Sequence, residues 1–481
     1  MASVSLPLWL FVPMLLLALL AACEWLLIPC VRWYFRRKVR RVIDEVNVRL
    51  NIDIPPFKLT RRKSLIERLL SDPKVLSAVV EQSRVEAVPQ EKLLRRVHQY
   101  AREIVPAFNA YVYFRLGYRV AKGFARLIYR VRLGYTDGAA MAAINPNSTV
   151  VFVMNHRSNM DYLLVSFLVA EHVALSYAVG EWARIWPLQS LIRAMGAYFV
   201  RRNSGDALYR TVLQRYVQMA TEGGVPQAMY PEGGLSVDGS LGRPKMGLFD
   251  YMLKNFDPGG ERDLVFIPVG INYDRVIEDR SLQRRLTGRH GKSRWWRSLC
   301  ITLAYVGKQV AFGVLGRRFR YGYACVNFGQ PQSMRDYLAQ TGLDFRAMEE
   351  GDRRVHVAEV GTLLMKQIGL IVPVLPVPLV ASVLMRNPNG SLSELDIKTA
   401  VHSLMQRIEG LGGHVYIPRA DRDYAINVGV RMLTLRRMVV ERDGMYTVNP
   451  PDLKLVAYYA NSIQHLLDSL QPSTDDGSGL P

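Results

Sequence analysis

The sequence predicts an α/β fold: a central sheet flanked by helices, preceded by a helical region and followed by a mainly helical one. Two observations carry this reading. Thr149-Val-Val-Phe-Val-Met154 is an apolar, β-branched run of strand length, and a helical stretch from Asp161 to Ala170 follows it at once. A second apolar run, Leu264 to Ile271, follows the turn Pro258-Gly259-Gly260 and also reads as a strand. Strands alternating with helical stretches build a layered sheet with helices packed on it, here over roughly residues 141–345.

The 481 residues are enough for several domains or one large domain with additions. Hydrophobic residues make up 49% and charged ones 22%, which excludes a mainly disordered chain. Cys23 and Cys30 sit in the apolar N-terminus, and Cys300 and Cys325 have no CxxC spacing. The cysteines therefore indicate neither a disulfide scaffold nor a zinc or redox motif, and no Walker or dinucleotide glycine loop points to a cofactor. A net charge of +20 points to anionic partners, such as lipid headgroups, phosphorylated small molecules or nucleic acid.

Taken in order, residues 1–31 read as a transmembrane anchor. Residues 1–23 carry no charge, and Leu6 to Val31 is apolar apart from Glu24. Trp25, Trp33 and Tyr34 mark the boundary, and Arg32, Arg36, Arg37, Lys38, Arg40 and Arg41 form a basic flank. Together they predict a single uncleaved span in an inner or plasma membrane, with the rest of the chain cytoplasmic. The run Leu20-Ala21-Ala22-Cys23 also looks like a lipoprotein cleavage box, which would place the domain on the other side.

Residues 32–140 read as helical. Phe108, Val112, Leu116, Val120, Phe124 and Ile128 recur every four residues, and Arg115, Arg119, Lys122, Arg126 and Arg130 line a neighbouring face suited to anionic membrane lipid. A Gly-, Asn-, Pro- and Ala-rich stretch at 138–148 marks a boundary. After the α/β domain, residues 346–470 read as helical. Ile368 to Met385 is apolar for 18 residues but is interrupted by Pro373, Pro376 and Pro378, so buried or interfacial core is expected rather than a second span. Ser391 and Glu394 suggest a capping box for a helix to about Glu409, and 471–481 is a polar tail.

The chemistry concentrates in four segments. Asn155-His156-Arg157-Ser158-Asn159-Met160-Asp161 follows the first strand, where α/β folds place reacting groups. A turn between His156 and Asp161 can bring the carboxylate to one imidazole nitrogen and leave the other as general base, although the spacing alone is weak. Gly196-Ala-Tyr-Phe-Val-Arg201-Arg202 offers paired guanidiniums for bidentate phosphate binding. Tyr230-Pro231-Glu232-Gly233-Gly234-Leu235-Ser236 is a tight turn whose glycines admit close substrate approach and free N–H groups. In Val265-Phe-Ile-Pro268-Val-Gly-Ile-Asn-Tyr273 a proline breaks the strand.

In this order and spacing the four segments resemble the blocks of the glycerolipid acyltransferase superfamily. They are most similar to its glycerol-3-phosphate 1-O-acyltransferase and dihydroxyacetone-phosphate acyltransferase branch. Further support comes from Pro-Lys-Met-Gly-Leu (244–248), Gly-Ile-Asn-Tyr-Asp-Arg-Val-Ile-Glu (270–278), Val-Asn-Phe-Gly-Gln-Pro (326–331), Pro-Leu-Val-Ala (378–381) and Tyr-Tyr-Ala-Asn-Ser-Ile-Gln-His (458–465). The resemblance covers about 40 to 470. It implies an α/β acyltransferase domain, His156 and Asp161 as the catalytic pair, and no metal. Substrate binding would fall to Arg157, Ser158, Arg201, Arg202, Glu232, Gly233, Gly234, Ser236 and Pro268. The branch usually has Arg where Leu235 stands, and Arg243 and Lys245 are the candidates to supply the missing charge. The chain is shorter than the largest bacterial members, so an additional N-terminal part is expected to be missing.

The reaction expected is acyl transfer from an acyl-CoA or acyl carrier protein thioester to the sn-1 hydroxyl of glycerol 3-phosphate. His156 would act as base, and no GxSxG nucleophile elbow is present. Backbone N–H groups near Gly233 or Gly234 are oxyanion-donor candidates. Lysophosphatidate or dihydroxyacetone phosphate are the alternative acceptors, and water would make the protein a thioester hydrolase. A basic, Trp-containing stretch from Arg284 to Arg297 suits headgroups or coenzyme A phosphates. A membrane-tethered nucleic-acid-binding protein is favoured only by the charge, and no binding motif supports nucleic acid as a partner.

Overall fold

The computed structural model describes residues 55–169, 174–180, 188–201, 204–286 and 321–468. The expected anchor, Arg202, most of the basic Trp-containing stretch and the polar tail lie outside the described residues.

Eight strands form one mixed sheet: β1 (Arg130–Thr136), β2 (Thr149–Met154), β3 (Ser176–Val179), β4 (Tyr198–Phe199), β5 (Gln227–Met229), β6 (Leu264–Tyr273), β7 (Tyr323–Phe328) and β8 (Gln332–Ser333). Their order is β1-β7-β6-β2-β5-β3-β4, with β8 also paired to β6. From β6 across β2, β5 and β3 to β4 every pair is parallel, whereas β7 and β8 run antiparallel to β6. The expected strand and helix after the boundary both form, as β2 and the helix Asp161–Val169.

Strand β2 shows how the sequence sets the layers. Successive side chains of a strand point to opposite faces, so Val151 and Val153 enter one core while Phe152 and Met154 enter the other. The first core is covered by α1 (Arg62–Leu70), α2 (Pro73–Glu86), α3 (Gln90–Ile104), α6 (Ala207–Glu222), α7 (Gly247–Leu253) and α8 (Glu350–Ile371). The second is covered by α4 (Tyr118–Ile128), α5 (Asp161–Val169), α9 (Pro376–Arg386), α10 (Glu394–Gly410), α11 (Arg422–Leu435) and α12 (Leu453–Ala460). With both faces covered, β6 is buried along all ten residues.

Several expectations change. The helical N-terminal region ends in β1, which pairs with β7 and makes this region part of the sheet. The four-residue stripe is not one long α-helix: a π-helical turn, Val112–Gly117, precedes α4. Each four-residue step overshoots a full α-helical turn by about 40°, and a wider turn absorbs the excess. Val120 is exposed while Ile128 is buried, so the stripe does not keep to one face.

Pro268 does not break its strand. Its carbonyl accepts from Gly329 N–H at 2.9 Å, so its nitrogen faces the edge where the neighbour changes from β8 to β7, and the missing donor falls in that gap. The apolar stretch 368–385 runs from α8 into α9 and is largely buried, with Leu370 exposed, and Pro376 sits in the first turn of α9, where its absent N–H costs nothing. Helix α10 is capped by Ser393 with Asp396, two residues later than expected, because Ser391–Ser393 (β9) pairs with Met445–Val448 (β11). Val439–Arg442 (β10) completes that small sheet inside the helical C-terminal region. Among the described residues no helix is long and apolar enough to cross a membrane.

Candidate active site

The parallel strands deliver the blocks to one edge. The first block leaves the carboxyl end of β2, the third the end of its neighbour β5, and the second the end of β4. Asn155 extends β2 by one residue, its side-chain amide donating to Ile271 O at 2.9 Å and accepting from Ile271 N–H at 2.8 Å. This fixes where the loop begins.

Within the loop, Asp161 Oδ2 lies 2.9 Å from His156 Nδ1. The same oxygen accepts the backbone N–H groups of Arg157 at 2.7 Å and Ser158 at 2.9 Å, and Oδ1 accepts from Tyr273 O–H at 2.5 Å. Asp161 is fully buried and acceptor-only when ionised, so the imidazole proton belongs on Nδ1. The His156 ring stacks on Tyr230, with centroids 3.9 Å apart and planes 17° apart. With Nδ1 bound and one face covered, Nε2 is the ring nitrogen left for a substrate.

His156 stands on the wall of a cavity of about 650 Å³. Val120, Phe124, Leu191, Ile192, Met195 and Leu213 give that cavity an apolar lining. Arg201, Arg210 and Lys245 supply positive charge on its wall.

Glu232 lies against the loop. Its Oε1 accepts His156 N–H and its Oε2 accepts Gly242 N–H, both at 2.8 Å, and burial pushes its carboxyl above the usual range. Gly233 lines the cavity with φ +69, a left-handed conformation that glycine adopts without strain, but its N–H closes the turn onto Tyr230 O at 3.0 Å. The donor expected there is thus occupied; Gly234 stands beside it in the same turn. Ser236 N–H donates to His156 O at 2.9 Å, and its hydroxyl donates to Ser240 O and accepts from Gly239 N–H. Ser236 ties loop to loop and does not line the cavity.

Arg157 and Ser158 are buried behind the loop rather than presented to the cavity. Arg157 donates to Gly239 O, and Ser158 Oγ donates to Glu278 at 2.8 Å. Arg201 lines the cavity, but its guanidinium forms a two-point pair with Glu103 at 2.9 and 2.7 Å, which raises its proton affinity further, and it stacks on Tyr100 and Tyr209. Arg243 is exposed and outside the cavity, whereas Lys245 lies over Gly233 on its wall. Leu235 is half-buried against the core. Pro268 is enclosed in β6, and the structure does not bring it to the cavity.

Sequence reasoning passed over Tyr230, Tyr273, Glu278 and Arg210. The first three lie inside the blocks already quoted, next to the residues whose chemistry drew attention. Arg210 gives no local signal and reaches the cavity only because α6 packs beside β4 and β5.

Comparison with known proteins agrees with this architecture. Residues 140–272 match the acyltransferase family model. Residues 311–469 match the model of the glycerol-3-phosphate acyltransferase C-terminal region. The sheet domain is thus similar to acyltransferases, and the region after it to the C-terminal region of glycerol-3-phosphate acyltransferases. Both matches are in keeping with the glycerol-3-phosphate acyltransferase branch that the sequence blocks resemble.

The glycerol-3-phosphate acyltransferase of Xanthomonas axonopodis pv. citri is 27% identical over 447 residues, 89% of this chain and 48% of that protein. The protein of the same name from Pseudomonas syringae pv. tomato is 27% identical over 420 residues, 85% of this chain and 49% of that one. The chain therefore spans about half the length of the curated relatives it matches. Among solved structures, the 1-acyl-sn-glycerophosphate acyltransferase of Thermotoga maritima aligns over 61% of this chain and 87% of its own, at 17% identity and a TM-score of 0.31. A superposition that loose carries no argument about the site.

Proposed function

We propose that the protein transfers a fatty acyl group from a thioester to the sn-1 hydroxyl of glycerol 3-phosphate, giving lysophosphatidate. The observation that carries this reading is the imidazole of His156, held through Nδ1 by Asp161 at 2.9 Å on the wall of a largely apolar cavity. His156 Nε2 takes the acceptor hydroxyl proton, and the alkoxide attacks the thioester carbonyl. Collapse of the tetrahedral intermediate expels the thiolate, which takes the proton from the imidazolium. Asp161 stabilises the imidazolium while it exists, and Tyr273 and the two loop N–H groups hold its carboxyl group in place. General-base help of this kind contributes roughly 10²–10⁴ in rate.

The cavity suits an acyl chain, and Lys245 and Arg210 on its wall suit the acceptor phosphate, for which the sequence also offers Arg202. Coenzyme A or acyl carrier protein supplies the thioester, and the apolar N-terminal stretch with its basic flank anchors the catalytic domain on the cytoplasmic side of a membrane rich in anionic lipid.

Leu235 favours a second reading. An apolar, half-buried side chain stands where the branch usually has Arg, which opens the site to lysophosphatidate or dihydroxyacetone phosphate as acceptor. The test supplies purified full-length protein with acyl-CoA or acyl carrier protein and each of the three acceptors, and identifies the lipid formed. Lysophosphatidate from glycerol 3-phosphate is the expected product. Phosphatidate from lysophosphatidate alone would replace the acceptor assignment, and thioester hydrolysis with every acceptor would replace transfer itself.

A further inference from the structure

Helix α12 carries two adjacent tyrosines, one against the loop between His156 and Asp161 and the other against the segment 276–279 that meets this loop. In the loop, Arg157 is buried with its guanidinium 4.6 Å from the centre of the Tyr458 ring. In the segment, Glu278 accepts from Ser158 Oγ at 2.8 Å, from Asn159 N–H at 3.2 Å and from Asn159 Nδ2 at 2.9 Å. The next residue, Asp279, accepts from Tyr459 O–H and from Arg436, each at 2.5 Å. The Tyr459 hydroxyl oxygen also accepts from Arg436 at 2.9 Å and from Val276 N–H at 3.1 Å. Arg436 follows the end of α11, so α11 and α12 together grip the segment 276–279. None of Glu278, Asp279, Arg436, Tyr458 and Tyr459 lines the cavity.

Every loop N–H from 156 to 160 has an acceptor. His156 donates to Glu232, Arg157 and Ser158 donate to Asp161, Asn159 donates to Glu278 and Met160 donates to Ser158 Oγ. Loops are mobile unless such groups are tied down, and a general base works only when held close to its proton. Glu232 and Glu278 are the two acceptors in this set that come from outside the loop. Glu278 lies between Val276 and Asp279, which are held by residues from the other end of the chain.

We infer that the C-terminal region is a working part of the active site: Tyr458 beneath Arg157, and Arg436 and Tyr459 acting through Asp279 and Glu278, position the loop that carries His156. This rests on His156 being the base, as proposed above. Glu278 is thus a positioning residue, and so are Arg436 and Tyr459.

The test compares full-length wild-type protein with Glu278→Gln, Glu278→Ala and Tyr459→Phe. Steady-state kinetics are read beside the rate at which diethyl pyrocarbonate modifies His156, followed by mass spectrometry. Gln keeps an acceptor for both Asn159 donors, and Ser158 Oγ can turn to accept from its amide, so Glu278→Gln should stay within about threefold of wild type. Glu278→Ala should lower kcat by at least tenfold, leave both KM values within about threefold, and speed His156 modification at least threefold. Tyr459→Phe should move the same readings in the same direction by less.

Unchanged turnover and His156 reactivity in Glu278→Ala would overturn the inference. So would a rise in acceptor KM at constant kcat, because Glu278 would then meet substrate directly. Glu278→Gln as impaired as Glu278→Ala would overturn it too, since charge and not position would be the requirement. If Glu278→Ala does not fold, Tyr459→Phe decides by the same two readings. If wild-type protein acylates no acceptor, the functional reading fails, and His156 reactivity alone then decides whether the loop is positioned from the C-terminal region.

Discussion

Glu232 Oε1 accepts the backbone N–H of His156 at 2.8 Å, so the carboxylate of the third block grips the residue proposed as the base. Its other oxygen holds Gly242 N–H at the same distance. A carboxylate bridging two backbone donors acts by shape, whatever it also contributes to substrate. Glu232→Gln keeps one acceptor and turns an amide N–H₂ against the other donor. Turnover should fall roughly tenfold, about 1.4 kcal/mol, with both KM values little changed. Steady-state kinetics on the purified variant checks this, and a large rise in acceptor KM alone would make Glu232 a substrate contact instead.

His156→Ala removes the proposed base and should cost at least ~10² in turnover while the melting temperature stays near that of wild type. Asp161→Asn should cost a similar factor for a different reason. Three donors converge on Oδ2, and an amide group there must either present N–H groups to N–H groups or turn away. The loop then loses its shape together with the Nδ1 tautomer. Turnover near the wild-type value in either variant would remove the pair from the mechanism.

Much of this was legible before any coordinates, because local pattern and block spacing both survive in one dimension. Thr149–Met154 is apolar enough to be a central strand wherever it falls, and His156 and Asp161 are five residues apart in one loop. What stayed hidden depends on pairing across long separations. Arg130–Thr136 is a strand because Tyr323–Phe328, nearly two hundred residues on, offers it an edge. Pro268 looks like a strand breaker until the change of neighbour from β8 to β7 is visible. Glu278 and Tyr459 read as ordinary members of their blocks, since nothing in either segment announces that Tyr459 holds Asp279, the residue next to Glu278, beside the loop that carries His156.

The two arginines of the second block should separate. Arg201 forms a two-point pair with Glu103 and stacks on Tyr100 and Tyr209, so Arg201→Ala should act first on stability, by about 1–2 kcal/mol, seen as a lower melting temperature. Arg202 lies outside the described residues, and the acceptor phosphate still needs positive groups beside His156. Arg202→Ala should raise the acceptor KM by roughly 10–100-fold and move the donor KM much less, with Arg202→Lys recovering only part because an ammonium lacks the bidentate fork. If both KM values rise together, the arginine serves the fold or the donor's phosphates. If neither moves, Leu235 marks a change of acceptor, and glycerol 3-phosphate is the assignment to abandon.

The last prediction concerns pH and a carboxyl group away from the reaction. Asp274 is fully buried at the end of β6, with Oδ2 accepting Tyr323 N–H at 2.8 Å and Oδ1 accepting Val377 N–H at 3.1 Å. It therefore ties the sheet to the first turn of α9. Burial pushes its pKa up to about 7, and the two N–H groups only partly oppose that. Below the ordinary carboxyl range near 4, folded and unfolded chains both carry the proton, and the group adds no pH dependence. Between about 4 and 7 the folded chain keeps a proton that the unfolded chain has released, so stability falls as pH rises through that window and levels off above it. The slope from this group is at most a tenfold change in the folding equilibrium per pH unit. Asp274→Asn is neutral at every pH and loses one backbone acceptor, so it should be the less stable protein at pH 5, with its disadvantage shrinking toward pH 8. Denaturant unfolding of both proteins across that range measures the difference directly, and taking the difference cancels Glu232 and Glu278, whose carboxyls burial shifts in the same direction. Two parallel stability curves would mean that Asp274 is already ionised throughout, held as a carboxylate by its two N–H donors.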